Sequence, residues 1–284
     1  MTGRTYAELL SAGSAKLRAA GINDPVRDAR RLLLLVSQLS PAALIASEND
    51  QASETHAESF EAVVEMRAER VPIAHIAGEA SFYGLNLRSD SRALIPRTDS
   101  EVVVELALGR LPDDSAVSIA DLGTGSGALL AALLSERPLA RGVAVEADPI
   151  ALMLAQENFE QIGIASRIQT VLESWSDWSG WGDCDLIISN PPYIRSNVIP
   201  ELEPEVRDFD PLQALDGGAD GLSAYREIID LAAASMKTGA HLVFEIGYDQ
   251  KQSVSELLTM AGFTGLQHQQ DLGGQDRVVA AIKS

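Results

Sequence analysis

The sequence predicts a doubly wound α/β domain that follows a small helical domain, and three observations predict it. After residue 115, short apolar strands alternate with helices of about ten or more residues, which is typical of a parallel sheet covered on both faces. A glycine-rich turn at 123–127 joins the first of these strands to its helix. Residues 1–75 carry apolar side chains at helical spacing and show no strand pattern.

Helical patterns fill residues 1–75. The segment TYAELLSAGSAKLRAAG ends at Gly21, a residue type that commonly follows a helix. The segment DPVRDARRLLLLVSQLS begins with Asp24 as a predicted N-cap and Pro25 at the first helical position. The segment SETHAESFEAVVEMRAER continues the helical spacing until Pro72 breaks it. We therefore predict a helical domain over this range.

The pattern changes over residues 76–97. Apolar and polar side chains alternate around Gly84, which predicts a β-hairpin that links two domains. The helical segment TDSEVVVELALGRL comes next, and Thr98 followed by Glu101 has the spacing of a capping box. The second predicted domain therefore covers residues 98–284.

Strands and helices alternate through the rest of the chain. The predicted strands are AVSIADLG, RGVAVEA, RIQTVLE, CDLIIS, AHLVFEIG and DRVVAAIK. The predicted helices are GALLAALLSER, DPIALMLAQENFEQIG, GLSAYREIIDLAAASMK and DQKQSVSELLTMAG. A doubly wound sheet binds its ligand beyond the carboxyl ends of the strands, near the point where the strand order reverses. We expect the functional site at that edge.

The composition indicates a soluble protein without metal or disulfide. Apolar residues make up 46% of the 284 residues, enough for a sizeable core. The longest aliphatic run, LLLLV at 32–36, is too short to cross a bilayer, and the N-terminus has no signal-peptide pattern. Cys184 is the single cysteine, and the four histidines show no metal-ligand spacing. A cytoplasmic, monomeric protein is the expectation.

The acidic charge is concentrated after the first 84 residues. The formal net charge is −19, of which residues 1–84 contribute −3 and the remaining 200 residues contribute −16. An acidic surface repels phosphate backbones, because nucleic-acid affinity depends largely on Lys and Arg displacing counterions. The charge suits a small cationic ligand or a basic protein partner. It also fits a surface whose acidity only confers solubility.

The glycine-rich turn consists of Gly123, Thr124, Gly125, Ser126 and Gly127. Glycine permits a tight turn and lets a ligand touch the backbone. The spacing also fits a dinucleotide-binding fingerprint, so the turn alone does not distinguish NAD from S-adenosylmethionine. A purely structural glycine turn is a further interpretation.

Two carboxylates near the turn bear on the choice of ligand. Asp121 lies just before the glycines, where it would repel a pyrophosphate but attract the ammonium group of S-adenosylmethionine. Glu146 ends the second strand of the domain, 23 residues after Gly123, where a carboxylate accepts both ribose hydroxyls of either cofactor. We therefore favour S-adenosylmethionine.

A strand that the sequence predicts to be buried ends in Asn190, Pro191, Pro192 and Tyr193. The Asn190 amide oxygen and the Pro191 carbonyl are two uncharged acceptors, and consecutive prolines keep the backbone stiff and extended. Beside the flat ring of Tyr193 they fit a planar –NH₂ group, whose weakly nucleophilic nitrogen they would orient for methyl transfer. In isolation the same residues fit a proline-rich turn. Their place after a strand, glycine turn and helix favours a site.

These segments together resemble the HemK/PrmC family, methyltransferases that modify a glutamine side-chain amide in peptide-chain release factors. The resemblance covers nearly the whole chain. It is carried by RAERVPIAHIAGEASFYGL, LIPRTDSE, DLGTGSGALL, AVEADPIALMLAQEN, DLIISNPPYI, FDPLQALDGGADGLSAYREII and LVFEIG. NPPY alone marks a wider class of amino-group methyltransferases, so the combination is what makes the resemblance specific.

The resemblance implies a Rossmann-like class I methyltransferase sheet, mostly parallel with one antiparallel strand near the edge, behind helices that help to grip the protein substrate. It implies that residues 123–127, Glu146 and Asn190 bind S-adenosylmethionine and that Trp175 lies near the adenine. It implies that residues 190–193 bind the target glutamine, which belongs to the GGQ motif used in translation termination.

Departures from the family pattern leave some roles open. Glu146 stands where Asp is common, and Ser174 stands where an acid is common, so Glu173 or Asp177 would have to replace that adenine contact, if anything does. The proline that usually follows Arg97 is absent, so this arginine fits pairing with surface carboxylates equally well. Asp210 in FDP replaces the more common Glu.

Three other functions remain open at this stage. A glutamine of a ribosomal protein is an alternative substrate for the same chemistry. Adenine-N6 methylation of DNA or RNA is a second, against which the −16 of the catalytic part and the lack of a basic, aromatic-rich segment both weigh. A non-catalytic, cofactor-binding or ribosome-associated module is a third, and an intact NPPY beside an intact glycine turn argues against it.

Overall fold

The computed structural model describes residues 3–112 and 115–284. These residues form two compact units. The first unit runs to Gly78 and also contains Pro204–Phe209, and the second contains Glu79–Glu203 and Asp210–Ser284. The second unit holds the strands of the large sheet, so we describe the two separately.

The first unit is helical. Its helices are α1 (Tyr6–Ala19), α2 (Pro25–Ser37), α3 (Pro41–Ala46), α4 (Glu54–Ala68), α5 (Ile73–Ala77) and, from the later segment, α9 (Pro204–Arg207). The predicted N-cap of α2 is confirmed, because the Asp24 carboxylate accepts from the Arg27 N–H at 3.3 Å. Apolar faces of α1, α2 and α4 form the core around Leu17, Leu33 and Phe60.

A two-stranded hairpin opens the second unit. Strand β1 (Glu79–Phe82) pairs antiparallel with β2 (Leu85–Arg88). Tyr83 and Gly84 form the turn with φ of 47° and 74°, the sign that a type I′ hairpin turn requires at both central positions. The predicted hairpin is therefore confirmed.

The capping box predicted from Thr98 and Glu101 is wrong. A short 3-10 turn occupies Thr98–Ser100, and the next helix begins at Glu101 without a side-chain cap. The Glu101 carboxylate instead accepts from the backbone N–H of Tyr83 at 2.8 Å. A partner 18 residues away in the chain thus takes the group that the local pattern assigned to the helix end.

A seven-stranded sheet forms the centre of the second unit, in the order β5-β4-β3-β6-β7-β9-β8. The strands are β3 (Ser118–Leu122), β4 (Arg141–Glu146), β5 (Ile168–Leu172), β6 (Leu186–Ser189), β7 (His241–Glu245), β8 (Phe263–Gln270) and β9 (Asp276–Lys283). Strands β3 to β7 pair in parallel, and β9 is antiparallel to both β7 and β8. The mostly parallel sheet with one antiparallel strand near its edge is confirmed.

Helices cover both faces of this sheet. They are α6 (Glu101–Leu108), α7 (Ala128–Glu136), α8 (Pro149–Ile162), α10 (Leu212–Leu215), α11 (Ser223–Ser235) and α12 (Lys251–Met260). Neighbouring residues of a strand face opposite ways, so Ile188 belongs to the core under α6, α7 and α8 while Ile187 belongs to the core under α11 and α12. Both cores are apolar, as the uninterrupted apolar strands predict.

The strand order places the functional edge. From β3 the chain builds outward through β4 and β5, and it then returns to add β6 and β7 on the other side of β3. The order therefore reverses between β3 and β6, and a crevice forms beyond their carboxyl ends. The glycine-rich turn follows β3, and NPPY follows β6.

Candidate active site

A cavity of about 600 Å³ opens at this edge of the second unit. Most of the residues predicted for the site line it: Asp121, Gly123, Thr124, Gly125, Ser126, Glu146, Trp175, Asn190, Pro191 and Pro192. Segments that are far apart in sequence thus meet at one cavity. Among the described residues, Gly127 and Tyr193 are the predicted site residues that do not line it.

The glycines of the turn have conformations that other residues rarely adopt. The φ angles of Gly123, Gly125 and Gly127 are 69°, 55° and 81°. A Cβ at Gly127 would lie 2.5 Å from the Phe159 ring, so this glycine permits the close approach of the turn to α8. Gly123 and Gly125 present backbone to the cavity, and Gly127 packs behind it.

Asp121 is a fully buried carboxylate at the floor of the cavity. Its Oδ2 accepts a hydrogen bond from the Thr124 hydroxyl at 2.7 Å. Burial raises the pKa of Asp121 to about 7, and the neighbouring charge of Glu146 adds to the rise. The Thr124 hydrogen bond lowers it in part. The Asp121 carboxyl therefore changes between its neutral and its ionised form near neutral pH.

Glu146 accepts several backbone N–H groups at the end of β4. Its Oε2 accepts from Gly125 at 2.9 Å, and its Oε1 accepts from Ala147 and Asp148 at 2.9 and 3.0 Å. The carboxylate is therefore held against the glycine-rich turn while it lines the cavity. Oε1 already accepts two N–H groups, whereas Oε2 accepts one and keeps a second lone pair for a ligand hydroxyl.

Trp175 lies against the glycine-rich turn. Its ring atom Cζ3 is 3.6 Å from the position that a Cβ on Gly123 would take, and the ring lines the cavity. Glu173, Ser174 and Asp177, the alternatives for an acidic adenine contact, are not among the described residues that line it. The Ser174 hydroxyl instead donates to the Asp177 carboxylate at 2.6 Å.

The Asn190 side chain and the Pro191 carbonyl are the central acceptors of the predicted site. Asn190 is half-buried, Pro191 is buried, and both line the cavity. Within residues 3–112 and 115–284, no protein donor hydrogen-bonds the Asn190 amide oxygen or the Pro191 carbonyl. The two acceptors thus remain available to a ligand.

A second loop supports NPPY from behind. The Ile194 N–H donates to the Leu215 carbonyl at 3.0 Å, and the Gly217 N–H donates back to the Ile194 carbonyl at 2.8 Å. A Cβ on Gly217 would lie 2.7 Å from the Tyr193 Cα, so only glycine permits this approach. The Gln250 amide also donates to the Tyr193 carbonyl at 3.0 Å. The sequence reasoning missed Gly217 and Gln250 as supports of the motif, although DGG in the sequence was a signal for a close backbone contact.

The Tyr193 side chain packs into the core under α11 and α12. Its hydroxyl donates to Oε1 of the buried Glu245 at 3.3 Å. Burial and the Glu245 charge raise the pKa of Tyr193, so the phenol stays protonated at neutral pH. The sequence predicts that the Tyr193 ring forms a flat wall beside the –NH₂ group. This role stays a prediction, because Tyr193 does not line the cavity and its hydroxyl binds Glu245.

The segment from Arg92 to Arg97 forms a further wall that the sequence reasoning did not assign. Arg97 lines the cavity and donates to Oδ2 of the buried Asp210 at 2.8 Å. The burial of Asp210 raises its pKa, which the Arg97 charge lowers in part, and its Oδ1 has no partner in the described part of the chain. Arg97 thus pairs with a buried acid, where the sequence suggested surface carboxylates.

Two families match successive parts of the chain. The family described as the PrmC N-terminal domain matches residues 8–78, and the methyltransferase small domain matches residues 100–201. A release factor glutamine methyltransferase of Caulobacter vibrioides is 38% identical over 99% of this chain and 97% of its own length. Those of Cereibacter sphaeroides and Moorella thermoacetica are 40% and 35% identical, over 97% and 98% of this chain and 97% and 99% of their own lengths.

The chain belongs to the release factor glutamine methyltransferase family. Solved structures with low sequence identity share the methyltransferase fold. The hMettl16 catalytic domain aligns with a TM-score of 0.56, 17% identity and coverage of 71% of this chain and 76% of its own. A methyltransferase from Pyrococcus furiosus aligns with a TM-score of 0.53, 16% identity and coverage of 72% and 91%. The family resemblance stated from the motifs is thereby confirmed.

No group of three or more His, Cys, Asp or Glu in residues 3–112 and 115–284 is placed to hold a metal ion. Within the same ranges, no helix combines the length and apolar character needed to cross a bilayer.

Proposed function

We propose that this protein transfers a methyl group from S-adenosylmethionine to the side-chain amide nitrogen, N5, of the glutamine in the GGQ motif of peptide-chain release factors. One observation carries the proposal beyond family membership. The Asn190 and Pro191 acceptors line the same cavity as the glycine-rich turn, and no described protein donor occupies them. They are the two acceptors that a primary amide needs.

The residues that line the cavity suit a cationic cofactor. Gly123 and Gly125 expose backbone to it, and the carboxylates of Asp121 and Glu146 are the acids that line it near this turn. The Asp121 carboxylate would oppose a pyrophosphate, so it favours S-adenosylmethionine over a dinucleotide, whereas Glu146 suits the ribose of either. When bound, S-adenosylmethionine supplies a methyl group on a positively charged sulfur. Glu146 would hold the ribose hydroxyls, and Trp175 would lie at the adenine.

The two acceptors of the motif act on the substrate amide. The nitrogen of a carboxamide is a weak nucleophile because its lone pair is delocalised into the carbonyl. Asn190 and Pro191 would each accept one of its N–H groups, which fixes the orientation of the nitrogen and stabilises the positive charge that it gains. The stiff Pro191–Pro192 backbone limits the reorganisation this requires. The proton can leave after transfer, so the motif needs no strong base.

The same observations bear on the competing substrates. An adenine amino group also carries two N–H groups, and the motif alone would accept it. The acidic charge of the catalytic part, −16 after residue 84, opposes nucleic acid. A glutamine of a ribosomal protein offers the same amide as a release factor, so the choice between them depends on surfaces outside the cavity.

The domain roles are part of the proposal. Residues 1–75 would contribute to recognition of the protein substrate, residues 76–97 would link the domains, and residues 98–284 would bind the cofactor and carry out methyl transfer. We also propose a monomeric enzyme that acts in the cytoplasm. Its single cysteine, Cys184, is buried and reduced, and burial raises the pKa of its thiol to about 11. Light scattering of the purified protein tests the monomer, and a mass of twice the chain would contradict it.

A methyl-transfer assay tests the proposed function. Purified release factors, ribosomal proteins and nucleic acid are each incubated with the enzyme and labelled S-adenosylmethionine. We expect label in the release factor, at the GGQ glutamine. Label that appears only in nucleic acid would overturn the proposal, and label only in a ribosomal protein would replace its substrate.

An Asn190→Ala variant tests the mechanism. We expect turnover to fall by about 10²-fold or more while cofactor affinity changes little, because one acceptor for the amide is lost. Asn197→Ala is the matched control, since Asn197 is an exposed asparagine of the same loop outside the cavity. Turnover of Asn190→Ala within a few-fold of the parent would contradict the role of this amide.

A further inference from the structure

Glu245 is a buried carboxylate beside the methyl-acceptor motif that the mechanism above does not use. It ends β7 and is 2% exposed. Strand β7 pairs in parallel with β6, and their last paired residues are Phe244 and Ser189. The next residue along each segment is Glu245 and Asn190, so these two residues are neighbours. Glu245 does not line the cavity, so it cannot be explained as a direct ligand of the cofactor.

One hydroxyl group of the motif binds this carboxylate, and a second hydroxyl faces it. Tyr193, the last residue of NPPY, donates to Oε1 at 3.3 Å. Ser100, which lines the cavity and precedes α6, faces the carboxylate and lowers its pKa. A third hydroxyl, from Tyr225 of α11, donates to the main-chain carbonyl of Glu245 at 2.8 Å and fixes the strand end. The Glu245 side chain therefore binds the last residue of NPPY directly and lies close to Ser100.

The charge of Glu245 is not required for packing. An apolar side chain would fill a buried strand end without the cost of desolvating a carboxylate. Its Oε2 has no hydrogen-bond partner in the described part of the chain, so that cost is only partly offset by contacts. A group that is retained in spite of this cost is better explained by what it holds in place.

We propose that Glu245 is a positioning residue for methyl transfer, which as a carboxylate accepts from the Tyr193 hydroxyl and so fixes the NPPY loop. The inference rests on the proposed function. Tyr193 lies in the same short loop as Asn190 and Pro191. A shift of Tyr193 therefore moves the two oxygens that orient the substrate amide. A misplacement of about 1 Å at such a site can lower turnover by about 10²-fold.

The electrostatic surroundings make this contact sensitive to pH. Burial raises the pKa of Glu245 to about 6, the Ser100 hydroxyl, the Arg277 charge and the Tyr193 hydrogen bond lower it in part, and Asp99 raises it. Arg277 of β9, Asp99 before α6, Tyr193 after β6 and Tyr225 of α11 are the charged or titratable groups that face it. Above this pKa the carboxylate is charged and accepts strongly from Tyr193. Below it the neutral carboxyl is a weaker acceptor, and the contact weakens.

A Glu245→Gln variant gives the first test, because it mimics the protonated carboxyl at every pH. For the wild type we expect turnover to fall as pH decreases through about 6. For the variant we expect turnover at pH 8 to be about tenfold lower than that of the wild type, with unchanged cofactor affinity. We also expect the turnover of the variant not to decline as the pH decreases through about 6. Glu256→Gln, at an exposed glutamate of α12, is the matched control and should behave as the wild type. Wild-type turnover in Glu245→Gln, or an unchanged acid decline, would overturn the proposal.

A double-mutant cycle with Tyr193→Phe separates positioning from a general structural loss. If the hydrogen bond carries the effect, the double variant should be no slower than the slower single variant, because both changes remove one contact. Effects that multiply would overturn the proposal. If Glu245→Gln does not fold, Tyr193→Phe alone tests the same contact, and it should lower turnover with the cofactor affinity retained.

Amide exchange provides a readout that does not depend on turnover. The N–H groups of Tyr193 and Ile194 should exchange faster in Glu245→Gln than in the wild type, and faster in the wild type at pH 5 than at pH 7 after correction for intrinsic rates. Equal protection in all three cases would overturn the proposal even if the protein modifies another substrate. A wild type that transfers no methyl group to release factors but shows this exchange pattern would contradict only the proposed function.

Discussion

Asp121 combines complete burial with a place on the wall of the cofactor cavity. Burial raises its pKa to about 7, so the ligand-free protein holds this group in both charge states near neutral pH. The ionised form attracts a cation, and the neutral form does not. A ligand with net positive charge should therefore bind better as the pH rises through this range, and its binding should release a proton from Asp121.

The pH dependence of cofactor binding tests this residue. We expect the dissociation constant for S-adenosylmethionine to decrease by a factor of about 3 to 10 between pH 6 and pH 8, as Asp121 ionises. Asp121→Asn should bind more weakly at pH 8 and show a much flatter dependence, as measured by isothermal titration calorimetry. Asp183→Asn, at an exposed aspartate, should retain the wild-type dependence. The same slope in Asp121→Asn and wild type would contradict this role.

Arg92 anchors an irregular segment that forms a wall of the cavity. The segment 92–97 lacks helix or strand, so its own backbone hydrogen bonds do not hold it. Arg92 donates to Glu157 of α8 through both terminal nitrogens, at 2.8 and 2.9 Å, and it also binds Asp90. The Arg92 hydrogen bonds lower the pKa of Glu157, so this carboxylate remains ionised at neutral pH. The two parallel hydrogen bonds hold the Arg92 guanidinium and the Glu157 carboxylate in one plane, which gives the segment a defined position.

A Glu157→Gln variant tests this anchor. We expect the dissociation constant for the cofactor to rise about threefold to tenfold. The neutral amide binds Arg92 more weakly than the carboxylate does, so the segment 92–97 is held less firmly, while the fold persists. Glu160→Gln is the control, an exposed glutamate on the same helix. Calorimetric titration with S-adenosylmethionine measures both variants. Equal affinities in the two would show that the anchor does not shape the cavity.

The chain passes through the helical unit twice. It leaves that unit after Gly78, returns at Pro204–Phe209, and rejoins the second unit at Asp210. Within the helical unit, Glu205 accepts from Arg67 at 2.9 Å and from Arg70 at 3.0 Å. Burial raises the pKa of Glu205, but a backbone hydrogen bond together with the hydrogen bonds from Arg70 and Arg67 leaves it below its ordinary value. The returning segment is thus held by ion pairs that are largely shielded from water.

Replacing Glu205 should destabilise the helical unit. We expect Glu205→Gln to lower its free energy of unfolding by about 2 kcal/mol at pH 7, since Arg67 and Arg70 lose a shared partner. Because the folded pKa is depressed, this contribution is present above the ordinary value of about 4 and is lost as the pH falls below it. Hydrogen exchange of α2 and α4 reports the change, with exposed Glu201→Gln as the control. Unchanged protection of these helices at pH 7 would refute it.

The sequence by itself determined the alternation of strands and helices, the glycine-rich turn and the identity of NPPY. These follow from local patterns: strand periodicity, helix caps and the conformations that only glycine and proline favour. The same local rules failed at Glu101, whose carboxylate binds the Tyr83 N–H of the hairpin and does not cap its own helix. Local spacing does not reveal a partner that folding brings from another segment.

The tertiary structure decided which residues meet. It oriented Tyr193 toward Glu245, placed the segment from Arg92 to Arg97 on the cavity and paired Arg97 with Asp210. The physical reason is that these contacts join segments separated by 50 or more residues and depend on the order of strands in the sheet, with Tyr193 and Glu245 themselves 52 residues apart. Sequence patterns specify each element and its chemistry, whereas the packing of the elements specifies the geometry of the site.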